Sequence, residues 1–135
     1  QRQMCIRDRI IPAIFEWMDS DLSYDASRVA LVGASNAGRG MFLAAVAQPE
    51  RFQALLALPG QFSGEASELA VLRGKPIRLL VGQFDEGWVE SGQETLEALQ
   101  SQGVEAEFLI ARGQGHVLRL NPSELADWID GALEP

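Results

Sequence analysis

The stretch that most constrains the fold is Arg28-Val29-Ala30-Leu31-Val32, followed by Gly33-Ala34-Ser35-Asn36-Ala37-Gly38-Arg39-Gly40. An unbroken aliphatic run meets a cluster of small residues, and from Met41 the apolar positions recur at helical spacing. This order predicts a strand, a tight turn and a helix. A serine at the apex of such a turn can act as a nucleophile, whereas a glycine-rich turn in the same place can cradle phosphate. The two uses require different partners elsewhere in the chain.

The remaining segments repeat the alternation. Ile10, Ile11, Ile14, Phe15 and Met18 fall at helical spacing and predict a core-facing helix, with Pro12 in its first turn. Asp19 to Ser27 is polar and turn-like, and Arg28 to Val32 then reads as a strand buried on both faces. The helix carrying Met41, Phe42, Ala45 and Val46 ends before Pro49, and Ala54 to Leu58 forms a second strand stopped by Pro59-Gly60. Glu65 to Leu72 is a short helical segment, and Ile77 to Val81 a third strand closed by Gly82. Val89 to Gln102 is a helix with Leu96 and Leu99 inward and Gly103 as its C-terminal cap; Ala106 to Ile110 is the fourth strand. Asn121-Pro122-Ser123-Glu124 opens a last amphipathic helix whose stripe is Leu125, Trp128, Ile129 and Leu133.

Strands starting near 28, 54, 77 and 106 are spaced like βαβ units of about 30 residues. The expected class is therefore α/β, a parallel four-stranded sheet with flanking helices. In such sheets ligands sit beyond the carboxyl ends of the strands, so the loops 33–40, 59–64, 82–88 and 111–117 share one rim.

Bulk properties narrow the partners. The 135 residues, 47% of them hydrophobic, suffice for one packed domain or part of one. A formal charge of −8 without any basic run argues against a nucleic-acid or anionic-membrane surface. No apolar run approaches the roughly 18 residues that span a bilayer. The single Cys gives no disulfide framework. It lies in Gln3-Met4-Cys5-Ile6-Arg7-Asp8-Arg9, a string that resembles a translated sequencing adapter. Residues 1–9 are accordingly set aside as an artefact, and the genuine chain, read from Ile10, carries −10 and no Cys.

The rim holds three residues with complementary chemistry. Loop 33–40 supplies Ser35, loop 82–88 supplies Asp85, and loop 111–117 supplies His116, the only histidine. A serine hydroxyl becomes a useful nucleophile when a neutral imidazole accepts its proton, and a carboxylate fixes that imidazole's tautomer. Glu86, next in sequence, is the rival for the acid.

In this order, Ser then Asp then His, the chain resembles the α/β-hydrolase superfamily, in its serine esterase and acyl-peptidase-like branch. Gly33-Ala34-Ser35-Asn36-Ala37-Gly38 with Pro49-Glu50-Arg51-Phe52 is similar to the elbow region between that family's fifth and sixth strands. Gly82-Gln83-Phe84-Asp85 is similar to its acid loop, and Gly113-Gln114-Gly115-His116 to its histidine loop. The resemblance covers residues 10–135 and implies the C-terminal half of the domain, the fifth to eighth strands, with the N-terminal half missing.

It also implies acyl transfer from a small ester or peptide-like substrate to water through Ser35, His116 and Asp85, without metal or cofactor. Gly33, Ala37 and Gly38 would shape the elbow, the Asn36 N–H would supply half the oxyanion hole, and Phe84, Trp88 and Val117 would line the acyl pocket. One departure stands out: the elbow pattern is Gly-x-Ser-x-Gly, and Ala37 puts a methyl group where the turn is expected to be tight. With half the domain absent, the first strand should become an apolar sheet edge and the isolated chain should be poorly soluble and nearly inactive.

Two other uses of the same chain differ in testable features. As a short-chain-dehydrogenase phosphate turn, Gly38 and Gly40 fall one residue late, Ala54 to Gly60 lacks a ribose-binding acid, and Tyr24 has no Tyr-x-x-x-Lys context. A P-loop would need Lys-Ser/Thr after Gly38, where Arg39-Gly40 stands. A hydrolase-like binding module without turnover is the second alternative, since a fold does not dictate a function.

Overall fold

The computed structural model describes residues 2–135, with side chains from Arg9 onward. Helix α1 spans Arg2–Asp21, β1 Ala30–Gly33, α2 Asn36–Ala47, β2 Ala54–Ala57, β3 Ile77–Gly82, α3 Glu86–Ser101, β4 Glu107–Ala111 and α4 Pro122–Ala132. Short 3-10 segments occupy Pro49–Arg51 and Ala66–Leu72. The four strands are parallel and lie in chain order β1-β2-β3-β4, with Leu31 beside Leu55 and Leu79 beside Phe108. The α/β class expected from the sequence is the class observed.

Chain-order pairing fixes where the core forms. Successive right-handed crossovers in one direction keep α2, Ala66–Leu72 and α3 on the same face of the sheet. On that face Leu55, Ala57, Ile77 and Leu79 pack against Phe42, Ala45, Leu69, Leu72 and Leu99, all nearly inaccessible. Among the described residues the other face is approached by α4. Its stripe Leu125, Trp128, Ile129 and Leu133 is half-buried, and Val32 and Leu109 on this face remain exposed.

Several local expectations are corrected. Burial on both faces is realised at β2, whose four residues are fully buried, and not at β1, an edge strand of the sheet, where Val32 is 44% exposed. Strand β1 also starts two residues late: the Arg28 N–H closes a turn onto Asp25, and the Val29 N–H is taken by Gln53 Oε1. Pro12 stands inside α1 rather than in its first turn, because the helix extends upstream to Arg2. The buried stripe of α1 is Ile11, Phe15 and Met18, while Ile10 and Ile14 form an adjoining exposed one. Of the residues read as an adapter, Gln1 lies outside the described residues, as do the side chains up to Asp8.

In α3 the inward positions are Gly92, Thr95 and Leu99, with Leu96 only half-buried; a Cβ on Gly92 would sit 2.7 Å from the Phe108 ring. Gly103 does cap this helix, at φ 72°. Helix α4 starts as expected, with Asn121 Oδ1 accepting from the Ser123 N–H at 2.9 Å and Pro122 in the first turn.

The C-terminal turn of α1 is tied to the Pro49–Arg51 segment through Asp19. The Tyr24 hydroxyl donates to its carboxylate and Arg51 pairs with it at 3.2 Å, which together hold the Asp19 carboxyl below its ordinary pKa.

Phe42 is fully buried between α2 and the sheet, edge-on to Phe62, in this one-sided core. Phe42→Ala is expected to lower unfolding stability by about 3–5 kcal/mol in a denaturant titration.

Candidate active site

The turn after β1 is built around one strained residue. Ser35 adopts φ 59° and ψ −121°, the only positive φ at a non-glycine among the described residues. Such a conformation costs on the order of 1–3 kcal/mol and survives only where the surroundings enforce it. Here the Ser35 N–H donates to Pro59 O at 2.8 Å, the Leu58 N–H donates to Gly33 O at 2.8 Å, and the Arg39 N–H donates to Ser35 O at 3.2 Å. The end of β2 thus grips both sides of the turn and holds the serine side chain at the strand's carboxyl end.

Two glycines allow this grip. A Cβ on Gly33 would lie 2.4 Å from Ala37 O, and one on Gly38 would lie 2.1 Å from Pro59 O and 2.6 Å from Gly60 Cα. Ala37 is exposed, so the methyl group expected to crowd the elbow meets no such wall. The tight contact sits one residue later, at Gly38, which packs against Pro59-Gly60 instead of opening toward a phosphate. As the first residue of α2, Asn36 has a backbone N–H with no intrahelical acceptor.

The other two loops are locked to each other. A Cβ on Gly82 would fall 2.0 Å from Gly115 O, so the end of β3 touches the loop after β4 backbone to backbone. The Phe84 N–H donates to Gln114 O at 2.9 Å, Gln83 Oε1 accepts from the Gly113 N–H at 2.9 Å, and Gln114 binds the Arg119 backbone through both ends of its amide.

This framework brings the three rim residues together. Ser35 Oγ lies 3.0 Å from His116 Nε2, and His116 Nδ1 lies 2.6 Å from Asp85 Oδ2. With a carboxylate on Nδ1, a neutral imidazole carries its proton there and leaves Nε2 to accept from the Ser35 hydroxyl. The Asp85 side chain is 15% exposed and that of His116 is 45% exposed. Glu86, the rival acid, is exposed at the start of α3. No group of three His, Cys, Asp or Glu among the described residues could hold a metal ion.

The three pocket candidates separate. The Trp88 ring is half-buried with its centroid 5.9 Å from that of His116, whereas Phe84 and Val117 are 67% and 84% exposed. Arg39, in the first turn of α2 after Ser35, joins the site. Its guanidinium lies 4.6 Å over the Trp88 ring and donates to Asn36 Oδ1 at 3.1 Å. Gln83 and Gln114 were missed because a glutamine has no spacing signature.

No protein-family model matches the sequence, and no curated protein is significantly similar to it. Solved structures do match. The crystal structure of SOBER1 from Arabidopsis thaliana aligns at TM-score 0.78 and 20% identity, covering 97% of this chain and 64% of that one. A dienelactone hydrolase from Anabaena variabilis aligns at TM-score 0.59 and 26% identity, over 78% of this chain and 47% of that one. A phospholipase/carboxylesterase from Dyadobacter fermentans aligns at 0.65 and 13% identity, over 95% and 62%. The chain therefore has an α/β-hydrolase-type fold and spans less than two thirds of the length of each of these structures.

The elbow contacts predict unequal responses at neighbouring positions. Gly38→Ala must push α2 off Pro59 and is expected to lose about 1–3 kcal/mol of stability, whereas Ala37→Gly should change it by at most about 1 kcal/mol. Paired denaturant titrations check both.

Proposed function

We propose that this α/β-hydrolase-type chain carries the Ser-His-Asp site of a serine hydrolase that transfers the acyl group of a carboxylic ester or amide to water. The observation that carries the reading is the relay from Ser35 Oγ through both nitrogens of His116 to Asp85, mounted on a strained serine at the carboxyl end of the sheet. Esterases and hydrolases among the structures of similar fold support it.

In this mechanism Ser35 Oγ attacks the substrate carbonyl while His116 Nε2 takes its proton, and Asp85 stabilises the resulting imidazolium. The Asn36 N–H, at the start of α2, donates to the oxyanion of the tetrahedral intermediate. His116 then passes the proton to the leaving alcohol or amine, and water repeats the sequence to release the acid. Side chains and backbone alone carry such chemistry.

We assign residues 10–135 to the C-terminal half of the domain. The open, apolar edge at β1 supports this, as does the 64% share of SOBER1 that the chain spans. On this assignment the second oxyanion donor and much of the pocket belong to preceding strands. Loss of one such donor costs about 10²–10³ in rate.

In the full-length protein, a fluorophosphonate probe is expected to label Ser35. Ser35→Ala should abolish labelling and lower kcat by about 10⁶-fold, and Asp85→Asn should lower it about 10⁴-fold. Absence of labelling in an intact preparation would favour a binding module without turnover. Residues 10–135 expressed alone should aggregate in size-exclusion chromatography and show almost no ester hydrolysis; a monodisperse, active preparation would overturn the half-domain assignment.

A further inference from the structure

Among the described residues three arginines lie over aromatic rings: Arg51 over Phe15 at 4.6 Å, Arg78 over Trp128 at 5.0 Å and Arg39 over Trp88 at 4.6 Å. Two of these stacks are completed by a carboxylate. Arg51 pairs with Asp19 at 3.2 Å, and Arg78 pairs with Glu107 at 2.6 Å. The third makes no ion pair among the described residues. Its one side-chain hydrogen bond among the described residues is to the neutral amide oxygen of Asn36, although Glu86 and Glu90 are exposed on the same helix as Trp88.

The unpaired charge stands beside the site. Arg39 lies in the first turn of α2, four residues after Ser35, and the ring beneath its guanidinium is the one packed against His116. A stacked guanidinium bonded to Asn36 has a restricted orientation, and most of its five N–H donors are left for a ligand. In a chain of net charge −8 it is a cation without a carboxylate partner among the described residues, placed beside the Ser35–His116 pair.

We propose that Arg39 is a specificity-determining residue that forms an anion subsite next to the Ser35–His116–Asp85 relay, and that it selects esters bearing a carboxylate close to the scissile bond. This rests on the serine hydrolase reading above. The substrate supplies the carboxylate that the other two arginine stacks find within the chain, and the guanidinium binds it through paired N–H donors. Trp88 belongs to the same subsite as the platform that fixes the guanidinium, which gives the ring a role apart from lining an acyl pocket.

The test measures selectivity in the full-length protein. Wild type and Arg39→Gln are compared on p-nitrophenyl butyrate, on mono-p-nitrophenyl succinate, which carries its carboxylate on the acyl side, and on 4-acetoxybenzoate, which carries it on the alcohol side. The ratio of kcat/KM for an anionic ester to that for the neutral one is expected to fall about tenfold or more in Arg39→Gln on at least one of the two, through KM, with Arg39→Lys restoring part of it. An unchanged ratio on both overturns the proposal even if all rates drop together, because Arg39 then only steadies Trp88 and His116. Binding of the mono-anilide of succinic acid, followed by calorimetry, decides the matter without turnover. Weaker binding to Arg39→Gln supports the subsite and equal binding overturns it, whereas absence of hydrolysis by wild type on every ester counts against the serine hydrolase reading alone.

Discussion

The close approach of α2 to the end of β2 is the contact on which the rest of the site depends. Gly38 lies against Pro59 and Gly60 so tightly that a single Cβ would fall 2.1 Å from a carbonyl oxygen, and the same Pro59 oxygen accepts the Ser35 N–H. The two contacts clamp the turn between them. They hold Ser35 in a conformation that an L-residue otherwise avoids, with the strain offset by packing and hydrogen bonds of the neighbouring strand. The clamp is itself anchored from α3, where the buried Thr95 hydroxyl accepts the Phe62 N–H and donates to Ser91 O.

A second constraint acts at larger scale. Strands laid down in chain order with crossovers of one hand put three connections on one face, and a core of large aliphatic and aromatic side chains forms there. The opposite face is held by α4 through a few directional contacts. Arg78 reaches across from β3 to stack on Trp128, and Arg28 donates to the Leu133 carbonyl at 3.0 Å. The sheet is therefore rigid where the rim residues leave it and open at β1, where Val32 faces outward. Rigidity on the rim side lets loops from β3 and β4, locked by Gln83 and Gln114, hold Asp85 and His116 within hydrogen-bond distance of one another.

Much of this was legible in the residue order. Continuous aliphatic runs separated by helical periodicity determined a parallel sheet with flanking helices, since such runs belong to strands covered on both faces. Asn121-Pro122 and Gly103 located helix ends because their backbone preferences are local. The alternation also determined that Ser35, Asp85 and His116 share a rim, because parallel strands all end on one side. What tertiary structure decided was everything set by approach across the fold. It placed the tight elbow contact at Gly38 and left Ala37 exposed, because β2's end lies beside one and solvent beside the other. It turned Ile10 and Ile14 outward although they share the helical spacing of Phe15, and it stacked Arg39 on Trp88 from a helix 49 residues away in sequence. Sequence spacing reports which residues share a face of one element, and only packing reports what that face meets.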